Sequence, residues 1–150
     1  INALINRLGP DVLRPDANPE ISFQKIQQSR LPIGRLIMDQ SIIAGIGNIY
    51  RTEILWRQAI HPEIPGKAIS RQAFDRIWDD AAYLLAIGMK RNAIVTVDTH
   101  LFSKKRASEK YNIFGTVSCP KCNGHVRRLE INKRRAFVCD TCQPVPKHVS

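Results

Sequence analysis

At 150 residues, the chain has room for one ordinary domain or two small ones, and its 43% hydrophobic content lets a core form. Its net charge of +10 favours a polyanionic partner, with nucleic acid first. No apolar run approaches the roughly 18–20 residues of a membrane span, and Ile1 to Pro10 lacks the charged start and apolar stretch of a secretory leader, so neither is expected.

The segment Leu8-Gly9-Pro10-Asp11 with Arg14-Pro15-Asp16 is turn-rich and reads as a lead-in linker. Asn18 and Pro19 suit the cap and first position of a helix running to about Gln28. Pro32 opens a second helix through Ile33, Leu36 and Ile37 into Gln40–Ile43. Gly45 and Gly47 then break the helix, and Asn48 is placed to cap a third, Ile49 to about Ala59, burying Ile49, Ile54, Leu55 and Trp56. Ser70 caps the longest predicted helix, Arg71 to Lys90, whose apolar stripe Phe74, Ile77, Trp78, Ala81, Ala82, Leu85 and Met89 reads as core. Ala93 to Val97 is β-like, and the basic stretch from Thr99 to Tyr111 reads as a mobile connector that DNA can order. The expected organisation is a helical unit over 1–97, a connector over 98–115 and a finger over 116–145.

All four cysteines lie between Cys119 and Cys142, as Cys119-x-x-Cys122, sixteen residues, then Cys139-x-x-Cys142. This spacing suits a metal better than disulfides and fits a reducing cytoplasm. Each pair offers Zn²⁺ two thiolates from one turn, and a short antiparallel β-hairpin built on Val126, Leu129, Ile131, Phe137 and Val138 brings the pairs together. Such a site is closed and structural, and the finger needs its one zinc ion to fold. His125 is an alternative ligand that two complete cysteine pairs make unnecessary. The fold class is therefore mainly α, with a small β-hairpin zinc finger at the C-terminus.

Charge is concentrated toward that end. Residues 1–99 carry 12 Lys and Arg against 10 Asp and Glu, whereas residues 100–150 carry 11 against 3. Arg134 and Arg135, beside Lys133, stand at the turn of the hairpin or its flank, where a guanidinium can meet phosphate, although a solvated turn explains them equally well. Gly45-x-Gly47-Asn48 at a helix N-terminus has the build of a phosphate clamp, with unpaired N–H groups facing one point.

The run Met38-Asp-Gln-Ser-Ile-Ile-Ala-Gly-Ile-Gly-Asn-Ile-Tyr50, continuing through Glu53 to Ile60-His61-Pro62, resembles the helix–two-turns–helix motif of the formamidopyrimidine-DNA glycosylase / endonuclease VIII family. Leu8-Gly9-Pro10-Asp11 looks like that family's start of the same domain. The final Cys-x-x-Cys followed by Gln143 looks like its zinc finger. Gly34-Arg35-Leu36, where formamidopyrimidine-type members typically carry lysine at the position of Gly34, and Arg51 to Trp56 look more like the endonuclease VIII branch, which prefers oxidised pyrimidines. The resemblance implies that Asn48 and Arg134 contact backbone phosphate, with Arg135 the fallback for Arg134; Gly45 and Gly47 of the clamp and Arg35 complete the expected DNA-binding set. Tyr111 to Gly115 departs from the family's basic residues before the finger.

Family members act through an N-terminal proline amine with a glutamate beside it, which attacks the sugar C1′ and forms a Schiff base. This chain opens Ile1-Asn2-Ala3. The expectation is a DNA-binding portion of a bifunctional glycosylase and AP lyase, without its catalytic domain and inactive alone. It is expected to be monomeric, cytoplasmic and nucleoid-associated in a bacterium, to hold double-stranded DNA containing a damaged base, and to touch no membrane. The alternatives are a transcription- or ribosome-associated zinc-ribbon module, which would prefer structured RNA, and a protein-interaction domain stapled by zinc.

Overall fold

A computed structural model describes residues 8–97 and 110–146. Its elements in chain order are α1 (Pro19–Gln27), a single turn α2 (Ile33–Leu36), α3 (Asn48–Arg57), a 3₁₀ turn (Gly66–Ala68), α4 (Arg71–Arg91), and the strands β1 (Arg127–Ile131) and β2 (Arg134–Val138). Asn18 and Ser70 cap as expected: the Asn18 side chain accepts from the Glu20 amide and that of Ser70 from the Ala73 amide. α4 ends on Asn92 in the left-handed conformation.

Three expected elements differ. The second helix stops after Leu36 because Asp39 turns the chain instead: its Oδ1 accepts from the Ser41 amide at 2.9 Å and from the Ser41 hydroxyl at 2.6 Å. Gly47, not Asn48, is the N-cap of α3, and Asn48 is its first residue. Among the described residues Ala93 to Val97 has no strand partner; the Thr96 amide donates to the Lys110 carbonyl at 3.0 Å and Thr96 is fully buried. The expected connector falls largely on residues 98–109, outside the described residues.

The helical core gathers Phe23 and Ile26 from α1, Ile33 and Leu36 from α2, Ile54 and Leu55 from α3, and Phe74, Ile77 and Ala81 from α4. Each large apolar side chain removed from water in this way contributes about 1.5–3 kcal/mol. On α4 the stripe shifts by part of a turn: Leu84 is buried, while Met89, expected inside, is 73% exposed. The expected lead-in linker is packed in place, with Val12 in the core and the Gly9 amide bonded to the Gln40 carbonyl at 2.8 Å.

The strands pair antiparallel, Arg127 opposite Val138 and Ile131 opposite Arg134. Asn132 and Lys133 form the two-residue turn, both at positive φ (50° and 65°), the geometry that suits the right-handed twist of the strands. A second core, Trp56, Ile113, Val126 and Phe137 with Cys119 and Cys139, belongs to the hairpin end. Trp56 lies on α3, so the helical unit supplies a principal side chain of the finger core. Among the described residues no helix is long and apolar enough to cross a membrane.

Candidate nucleic-acid interface and metal centre

The two cysteine turns meet. Cys119, Cys122, Cys139 and Cys142 bring their sulfurs within 4.8 Å of one another, with Cys119–Cys142 at 3.8 Å and Cys122–Cys139 at 3.5 Å. Four sulfurs around a tetrahedral zinc at about 2.3 Å stand about 3.8 Å apart, so this donor set fits the ion. It leaves no fifth position for a substrate. His125 is exposed and lies outside the cluster. N–H donors from three residues point at the sulfurs: the Trp56 indole at Cys119 (3.4 Å), the Gly124 amide at Cys122 (3.3 Å) and the Cys142 amide at Cys139 (3.5 Å). Such contacts stabilise thiolates and orient them.

The finger is tied to the helical unit by polar side chains. Gln143 is fully buried; its Nε2 donates to the Ile60 carbonyl at 2.9 Å and its Oε1 accepts from the Cys139 amide at 3.0 Å. His61 accepts the Glu63 amide at Nδ1, so its Nε2 carries the proton and donates to Asp140 at 3.0 Å. Arg127 holds the same carboxylate with two N–H groups, at 2.9 and 3.0 Å, and this, with His61, keeps the Asp140 carboxyl below its ordinary range. Glu53, fully buried on α3, accepts from Thr96 Oγ1, from the Asn112 amide (2.6 Å) and side chain (3.1 Å), and from the amides of Ile113 (2.8 Å) and Phe114 (2.9 Å). The backbone of the stretch Tyr111 to Gly115 is thus organised around the Glu53 carboxylate.

The basic face forms where α2, α3 and the hairpin turn converge. A cavity of about 290 Å³ is lined by Arg35, Arg51, Arg134, Asp39, Met38, Ile131 and Asn132. Arg35 and Arg134 are exposed. Arg51 is only 1% exposed, and burial, together with the positive charge of Arg134, pulls its guanidinium down to about 10, still protonated at neutral pH. It donates to the Gly34 carbonyl at 2.8 Å, to Asn48 Oδ1, and to the Arg135 carbonyl at 3.5 Å.

One hydrogen-bonded cluster therefore contains Asn48 and the strand that carries Arg134. The Arg135 side chain is not among the cavity residues; it is paired across the hairpin with Glu130. Gly45 sits at φ 114°, open only to glycine without strain, but its amide is not the unpaired donor that the glycine turn suggested: it bonds Gln40 Oε1 at 2.8 Å. Gln40 Nε2 also donates to the Ile46 carbonyl at 3.1 Å. The donors available at this end are those of the first turn of α3, above the open space beside Gly47.

Sequence reasoning passed over Arg51, Glu53 and Gln40 as site builders. The only signal for Arg51 was its place three residues after Asn48, one turn along the same helix face. Gly34 is likewise required by packing: a Cβ there would lie 2.9 Å from Pro62 Cβ and 3.1 Å from Ile131 Cδ1, where the hairpin meets α2. Gly34→Ala is expected to cost about 1–3 kcal/mol of stability by overpacking. An unchanged urea midpoint would show that Ile131 retreats freely.

Comparison with known proteins bears on the family and the fold. The profile of the formamidopyrimidine-DNA glycosylase H2TH domain matches residues 8–99. Endonuclease 8 1 of Mycobacterium bovis is 39% identical over 146 residues, covering 93% of this chain and 54% of that protein. Formamidopyrimidine-DNA glycosylase of Chloroflexus aurantiacus is 30% identical over 139 residues, covering 90% of this chain and 50% of that protein. The chain thus spans about half the length of the curated relatives it matches. Lactococcus lactis Fpg, solved in complex with DNA containing an abasic site, superposes with a TM-score of 0.79 at 22% identity over 96% of this chain and 54% of that one, which shows a shared fold.

Proposed function

Because the chain belongs to the formamidopyrimidine-DNA glycosylase H2TH family, we propose that it is the DNA-holding half of a base-excision glycosylase and AP lyase acting on oxidised bases, pyrimidines before purines. The observation that carries the reading is the cluster in which Arg51 bonds both Asn48 at the tip of α3 and the carbonyl of Arg135 on the hairpin, beside a cavity that Arg51, Arg35 and Arg134 line. In this reading Asn48 donates to a backbone phosphate, the first-turn amides beside Gly47 add their dipoles, and Arg134 with Arg35 neutralises charge from the finger side. Gly45 serves by allowing the turn, and Arg135 is secondary.

The four cysteines hold one zinc ion, whose role is to fix the hairpin; it supplies no bond chemistry. The units are a helical module over 1–97, a connector over 98–115 and the finger over 116–145. The partner is duplex DNA bent around a damaged nucleotide, a bend whose cost these contacts offset. The protein works as a monomer in a bacterial cytoplasm, at the nucleoid.

The 150 residues alone should bind DNA with a steep salt dependence and without cleaving it. Borohydride trapping on damaged duplex should yield no covalent adduct; an adduct would reveal a nucleophile within this segment. Arg134→Ala should weaken binding to a duplex containing an abasic analogue by about 1–3 kcal/mol, and Arg135→Ala by less than about 0.5 kcal/mol. Equal losses would reassign the contact. A filter-binding preference for structured RNA over that duplex would favour a transcription- or ribosome-associated zinc-ribbon module instead.

A further inference from the structure

Among the described residues Arg51 is a buried cation that forms no ion pair, and Asp39 shares its cavity without bonding to it. Its Nη1 meets the Gly34 carbonyl at 2.8 Å, its Nη2 meets Asn48 Oδ1 and the Arg135 carbonyl, and its Nε is buried without a partner. Burying a guanidinium against neutral oxygens alone costs stability, and an apolar side chain would fill the same volume more cheaply. What the arginine adds is direction. A guanidinium only donates, so the Asn48 amide must turn its oxygen toward Arg51. The two Nδ2 hydrogens are then the end of Asn48 left for an acceptor outside the protein.

We infer that Arg51 is a positioning residue: it holds the Asn48 amide with its donors facing the DNA phosphate and ties that amide to the finger strand bearing Arg134. The inference rests on the proposed role of Asn48 and adds a mechanism to it. Without Arg51, the amide rotates between two orientations. One of them presents its oxygen to the phosphate, and the helix tip loses its register with the hairpin.

A double-mutant cycle on the zinc-loaded chain tests this, with a short duplex carrying a tetrahydrofuran abasic analogue as probe. Arg51→Met and Asn48→Ala should each weaken binding about tenfold. The pair together should lose no more than about twofold beyond Asn48→Ala alone, because Arg51 acts through Asn48. Unchanged affinity for Arg51→Met, or losses that multiply in full, overturns the inference. If Asn48→Ala leaves affinity unchanged, the phosphate role of Asn48 fails instead.

Should Arg51→Met fail to fold, Arg51→Lys decides, since lysine keeps the charge but cannot bridge three oxygens with a planar fork. Shifted Asn48 side-chain amide resonances with weakened binding support the role. Wild-type resonances and wild-type affinity dismiss it.

Discussion

Chelating the metal is expected to dissolve the finger and leave the helical unit standing. Zinc binding to sites of this kind is worth about 10–16 kcal/mol at neutral pH. Apart from the cysteines, the finger core holds little more than Trp56, Ile113, Val126, Phe137 and the edge of Phe114, and Trp56 comes from α3. Without the ion, four sulfurs within 4.8 Å of one another have nothing to hold them together. Helical circular dichroism should persist, because the larger core of α1, α2, α3 and α4 contains no finger residue.

Trp56 should move into water and shift its emission to longer wavelength. Trp78, half-buried against Phe74, would report little, and a Trp78→Phe background isolates the Trp56 signal. DNA binding should fall with the finger, since Arg134 then has no fixed position. Preserved Trp56 emission and protected amides in β1 after chelation would show that the hairpin stands on its packing alone.

Removing the Glu53 carboxylate should produce the second large effect. Glu53→Leu strands three backbone amides, Asn112, Ile113 and Phe114, and leaves the Thr96 hydroxyl only its longer bond to the Lys110 carbonyl at 3.3 Å. Each buried amide left without an acceptor costs about 1–3 kcal/mol, so three of them cost at least about 3 kcal/mol. Glu53→Gln keeps one acceptor and should cost roughly half as much. The damage should spread, because Ile113 belongs to the finger core while Thr96 closes the end of the helical unit. Urea unfolding gives the magnitude, and hydrogen exchange at residues 112–114 gives the location. A loss below about 1 kcal/mol for Glu53→Leu would mean that water replaces the carboxylate without penalty.

The contrast between Glu53 and the cysteines explains what could be read in advance. A Cys-x-x-Cys pair declares itself within four residues, because the turn geometry and the soft ligand are both local. The caps Asn18 and Ser70 are equally local: each side chain meets an amide two or three residues on. Glu53 and Arg51 lie in a helix where nothing within one or two turns marks its polar residues as buried. They are buried because the hairpin and the stretch 111–115 pack over them, more than fifty residues away along the chain. Ala93 to Val97 looks β-like for the mirror-image reason: its β-branched residues fit a sheet, but among the described residues no strand pairs with it. Met89 kept the helical period yet fell outside, because the core ends before the last turn of α4.

Taken alone, the order of the residues established the first, third and longest helices, the caps Asn18 and Ser70, the glycine turn, the two cysteine knuckles and the excess of positive charge beyond residue 99. Each depends on side chains within about one or two turns of each other, so short-range sterics and hydrogen bonding suffice. Three-dimensional packing alone decided that the glycine-turn amide is taken by Gln40, that Arg134 rather than Arg135 borders the cavity, and that Arg51 joins Asn48 to the finger. These outcomes follow from long-range burial, which determines which polar groups lose water and must find one another, and no local pattern encodes that pairing.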